Sequence, residues 1–186
     1  QVHVALGVRT VYLFHEDHYP LIVLAAILGG GMSSRLFHEV REKRGLSYYV
    51  RSSAEHHPDV GNLISTAGLD PKRVDEGISV MVEEYSKIKS QKGKVTEDEL
   101  KKAKEYIKGH MVLELENSRA VCGFYAYQEL LEKRIRTPNE IIKLIDKVTL
   151  EDIERAAKKY FVDKGLNLAV IGNFPDGQKF EKLLSL

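Results

Sequence analysis

Apolar and polar residues alternate from the start of the chain, with Val2, Val4, Leu6 and Val8 on one face of residues 1–8. A period of two predicts a half-buried strand. The stretch from Tyr19 to Leu28 is largely apolar and stops at Gly29-Gly30-Gly31, which predicts a buried helix ended by glycines. Ser33 stands where it can cap a second helix that turns Leu36, Phe37 and Val40 inward and ends near Arg44-Gly45. Strand patterning returns over residues 46–56 and 60–69, with a turn at His57-Pro58-Asp59 between them.

After Asp70 the period lengthens. Asp70-Pro71 reads as an N-cap and first helical residue, and Val74, Ile78, Met81, Val82, Tyr85 and Ile88 keep helical spacing. Thr96 with Glu99 and Thr137 with Glu140 form capping boxes that open two further helices. Residues 119–131 and the run from Thr149 to Tyr160 add two more, and the Lys-rich segment 87–94 reads as a solvated connection. A strand at residues 166–171 and a short terminal helix close the chain. Four strands and about seven helices, with a hairpin in the middle, predict an α+β domain: a mainly antiparallel sheet with helices on one face. No Pro-, Gly- or Ser-rich linker divides it, so residues 1–186 are expected to form a single domain.

Charge narrows the function classes. Lys plus Arg number 28 against 27 Asp plus Glu, a net charge of +1 that offers no field to nucleic acid or an anionic membrane. No apolar run approaches the roughly 20 residues of a membrane span. Cys122 is the only cysteine, which excludes an intrachain disulfide and a thiolate cluster. Among Val121, Gly123, Phe124 and Tyr125 it is expected to be a small buried apolar residue. The chain begins at Gln1, inside a strand, and reads as a piece of a longer protein. The expected compartment is cytoplasmic, any leader lying outside this sequence.

Seven histidines raise the question of a metal, but neither H-E-x-x-H nor H-x-x-E-H occurs. His15-Glu16-Asp17-His18 reads as surface polar residues, His56-His57 as a solvent-facing hairpin tip, and His110 as a packed or edge histidine. No metal site is expected. The glycine run lacks the lysine of a phosphate-binding loop and follows a helix, so composition alone favours a helix stop. Arg41 and Tyr48, seven apart, bracket the end of the second helix. A guanidinium fork and a phenolic O–H suit the gripping of a peptide backbone. Strand alternation sets Tyr48 and Tyr49 on opposite faces, so only one shares a site with Arg41, and spacing leaves open which.

These residues resemble a known family. The run L-G-G-G-M-S-S-R-L-F-x-x-V-R-E-K-R-G-L-S-Y ends at Tyr48. It is followed in order by D-x-G-x-x-x-x-x-A-G from Asp59, T-x-x-E-L-x-x-A-K from Thr96, V-T-x-E-D-I from Val148 and A-V-I-G-N-F ending at Phe174. Together they resemble the second half of M16 zinc metallopeptidases, the relatives of pitrilysin, insulin-degrading enzyme and mitochondrial processing peptidase, in the bacterial processing-protease form. The resemblance implies one of two similar α+β halves that close as a clamshell around a peptide. Zinc is then expected in an N-terminal half in cis or in a partner subunit, with no cofactor in this chain. A homo- or heterodimer fits the same plan. The resemblance further implies that Arg41 and Tyr48 reach the substrate and that Gly29, Gly30 and Gly31 correspond to a short substrate-binding loop. The alternative is half of a non-catalytic M16-like subunit serving as a binding or assembly partner. Retention of both Arg41 and Tyr48 favours the peptidase over this alternative.

Overall fold

Four strands carry the alternation read from the sequence: β1 (Val2–Thr10), β2 (Ser47–His56), β3 (Gly61–Leu69) and β4 (Leu166–Ile171). The computed structural model describes residues 1–132, 134–174 and 176–186. The sheet order is β2-β3-β1-β4 and every neighbouring pair is antiparallel. The register puts Val4, Ala67 and Val50 in one row and Val8, Leu63 and Ala54 in another, all facing the helices. His3, Gly68 and Tyr49 form a row on the opposite, open face.

The described residues also form seven α-helices: α1 (His18–Gly29), α2 (Val74–Lys89), α3 (Glu97–Glu114), α4 (Ser118–Tyr127), α5 (Pro138–Asp146), α6 (Leu150–Tyr160) and α7 (Gln178–Glu181). Leu21, Leu24 and Leu28 of α1 join Ile78, Met81 and Tyr85 of α2 and Phe161 in one core. Burial of these side chains, worth about 1.5–3 kcal/mol each, is what holds the helices to the sheet. The boxes at Thr96/Glu99 and Thr137/Glu140 form as read, and a third joins Thr149 to Asp152.

Several local readings are corrected. Asp70 caps a turn rather than α2, accepting from the Lys72 N–H at 2.9 Å, and α2 starts at Val74. Lys87 and Lys89 belong to the last turn of α2 rather than to a loop. The helix expected to reach residue 131 changes at Gln128 into a π-helical turn. Cys122 is exposed: α4 contributes no fully buried residue among those described, and Val121, Phe124 and Tyr125 are only half-buried. Asp17, read as a surface residue, is fully buried: its carboxylate accepts from Arg155 at 2.8 Å, Lys159 at 2.9 Å and the Tyr160 hydroxyl at 2.6 Å. That cage ties the start of α1 to α6, elements some 140 residues apart in sequence that no local pattern connects.

Candidate functional site

Phe37–Glu42 winds as a π-helix. Its wide turn is closed by the Lys43 N–H donating to the His38 carbonyl at 2.9 Å and the Leu46 N–H to the Val40 carbonyl at 2.8 Å. Gly45 follows at φ +59°, the left-handed conformation that a residue without Cβ adopts at low cost, and the chain turns directly into β2. The expected Ser33 cap is absent. Ser34 instead donates its hydroxyl to the Gly31 carbonyl at 2.6 Å.

Val40 points into the core while Arg41, on the same turn, is exposed. Its guanidinium rests 4.8 Å from the centre of the Phe37 ring, a cation–π contact that holds the fork without neutralising it. The neighbouring cations are matched: Lys43 and Arg44 both bind Glu39, and Arg73 binds Glu76. Among the described residues, Arg41 has no carboxylate partner.

Tyr48 owes its position to a fault in the ladder. Ser47 pairs with Leu69 and Tyr49 with Gly68, so Tyr48 is an extra residue without a partner on β3. A bulge of this kind breaks strict alternation, so the pattern of two no longer fixes the face of Tyr48 relative to Tyr49. Tyr48 is 75% exposed, and its hydroxyl bonds to no other group among the described residues. A cavity of about 520 Å³ opens beside it, bordered by Gly45, Ser47 and Asp70. Arg41 and Tyr48 therefore stand on consecutive elements either side of the Gly45 turn, both facing solvent, with no direct bond between them.

The three glycines serve packing. α1 runs against β2 so closely at Gly29 that a Cβ would strike the Ser52 amide, and at Gly31 it would come within 2.9 Å of the Tyr106 ring. The Gly30 N–H donates to the Ala26 carbonyl at 2.8 Å, ending α1. The sequence missed the ring beneath Arg41, although Phe37 and Arg41 at i and i+4 carry the signal.

The histidines also depart from expectation. His56 is 6% exposed, not solvent-facing, and its Nδ1 donates to the Val11 carbonyl at 2.8 Å. Its ring centre lies 4.4 Å from that of His18, and His56 Nε2 and His18 Nδ1 are both buried without a hydrogen-bond partner among the described residues. Burial, with His56 and Arg136 nearby, presses His18 from its ordinary 6.5 down to about 3, and burial lowers His56 as well. The unfolded chain then takes up protons that the folded chain refuses, so stability is intact above pH 6.5 and falls as pH drops from 6.5 towards 3. In thermal unfolding, His18→Gln is expected to flatten this decline; an unaltered slope would contradict it. Among the described residues no group of three or more His, Cys, Asp and Glu side chains is placed to hold a metal ion.

Residues 1–107 match the family model described as "Peptidase M16 inactive domain". The chain belongs to the M16 peptidase family. It is 35% identical over 178 residues to the uncharacterized zinc protease YmxG of Bacillus subtilis, covering 94% of this chain and 43% of that protein. To the human mitochondrial-processing peptidase subunit alpha it is 27% identical over 192 residues, covering 97% and 36%. The M16 chain thus spans less than half the length of these relatives. A protease from Helicobacter pylori superposes with a TM-score of 0.77 at 26% identity, over 91% of this chain and 40% of that one. A chain of complex III2 from Candida albicans reaches 0.85 at 21% identity over 100% and 46%, a likeness of fold. Among the described residues no helix is long and apolar enough to cross a membrane.

Proposed function

We propose that this chain is the peptide-binding, metal-free half of a zinc endopeptidase. The observation that carries the reading is the pairing of an uncompensated guanidinium with an unbonded phenol, on either side of one tight turn. Apart from the Phe37 ring under Arg41, neither group has a bonding partner among the described residues. Exposed groups without internal partners are free to bond a ligand.

The zinc ion is expected in an N-terminal half in cis or in a partner subunit, where it would supply Lewis acidity towards the scissile carbonyl. The residues here would do the rest. Arg41 would bond neighbouring backbone carbonyls or a terminal carboxylate through its fork and so fix the orientation of the peptide. Tyr48 would donate its O–H to the oxygen on which negative charge grows, favouring the transition state over the bound substrate. The cavity beside Tyr48 has room for a substrate side chain. Gly29 lies close to Ser52 of β2 and Gly31 against Tyr106 of α3, and with Gly30 they would form a short substrate-binding loop.

The test uses the complete protein that contains this chain. Peptide hydrolysis is expected to stop on chelation and return with zinc. Arg41→Lys keeps the charge and loses the fork, so it is expected to raise KM about tenfold, the equivalent of one charge-assisted hydrogen bond. Hydrolysis insensitive to chelator, or an Arg41→Lys protein with unaltered KM, would overturn the assignment.

A further inference from the structure

Tyr48 stands outside the β2–β3 ladder only while the bulge persists, and something must hold the bulge open. Moving the ladder by one residue between Ser47 and Tyr49 would set Tyr48 opposite Gly68 and turn Tyr49 towards the helices. The row Tyr49–Gly68–His3 resists that slip. The Tyr49 ring lies across Gly68, where a Cβ would come within 2.7 Å of it, and its hydroxyl bonds His3 Nδ1 at 3.0 Å. One side chain of β2 thereby spans β3 and fastens to β1, and Tyr49 is 37% exposed against 75% for its neighbour.

We propose that Tyr49 is the positioning residue of this site: clamped over Gly68 and tied to His3, it maintains the bulge that aims Tyr48 at the substrate. The inference rests on the role proposed above for Tyr48. It assigns Tyr49 no contact with the reacting atoms.

The complete protease tests it with a double-mutant cycle. Tyr49→Ala is expected to lower kcat about tenfold with KM within about twofold, since a displaced transition-state donor costs rate rather than ground-state binding. In a Tyr48→Phe background the same change is expected to cost nothing more, because Tyr49 acts only through Tyr48. Tyr49→Phe, which keeps the ring and loses the tie to His3, is expected to lose less than Tyr49→Ala. Gly68→Ala puts a methyl under the ring and is expected to reproduce the loss of Tyr49→Ala; it carries the test if Tyr49→Ala does not fold. Losses that multiply in the double variant would overturn the proposal, as would a full kcat for Tyr49→Ala beside an impaired Tyr48→Phe. A Tyr48→Phe protein with full activity would instead remove the functional reading on which it rests.

Discussion

Replacing Tyr48 by Phe in the complete protease is expected to lower kcat by about 10²–10³-fold, the usual cost of one oxyanion donor. The loss should fall on kcat rather than KM, since the bond is worth most when charge has developed on the carbonyl oxygen. Folding should be almost unaffected. The Tyr48 hydroxyl makes no bond among the described residues, and three quarters of the side chain is already exposed. A surface change of this kind is typically worth within about 0.5 kcal/mol. Steady-state kinetics with a quenched peptide, beside a thermal melt, separates the two effects. Turnover within about threefold of the parent would remove Tyr48 from the chemistry.

The largest effect on stability is expected at Asp17. Asp17→Asn preserves shape but sets an amide among three donors, Arg155, Lys159 and Tyr160, and removes the charge they surround. The cost should be about 2–4 kcal/mol, below the 3–5 kcal/mol of breaking a wholly buried pair. The reason is that Arg155 and Lys159 are each about half exposed and Arg155 keeps Asp152. For a chain of this length the thermal midpoint should fall by roughly 4–16 °C.

The pH dependence has a definite sign. Burial pushes the Asp17 carboxyl up, but hydrogen bonds from Tyr160, Arg155 and Lys159 outweigh it and hold the group well below its ordinary 3.8. A depressed carboxylate contributes its full stabilisation above the unfolded value and loses it as pH falls towards the folded one. The gap between parent and Asp17→Asn should therefore be constant near neutrality and shrink below about pH 4. A gap smaller than about 2 °C, or one that persists unchanged in acid, would show that the cage contributes little.

Within the sequence, the legible features were those whose partners lie a few residues away. Thr96 and Glu99, or Thr137 and Glu140, meet across one helical turn, so their capping boxes follow from spacing alone. The alternation of Val2, Val4, Leu6 and Val8 fixes which face of β1 is buried, whichever strand lies beside it. The family motif pointed to Arg41 and Tyr48 and left Tyr49 and His3 aside, because their contact spans 46 residues of sequence.

The sequence by itself therefore determined most of the elements, the buried faces of β1 and α2, and two exposed side chains chemically suited to a peptide. Only the tertiary structure decided that Tyr48 sits on a bulge, that Asp17 and His56 are buried, and that Cys122 is not. Each of these depends on which distant element lies alongside: β3 and β1 for the tyrosines, α6 for Asp17, β1 and α1 for His56. Short-range periodicity sets the direction of a side chain relative to its own strand or helix. Burial and pairing are set by what the folded chain brings up against it.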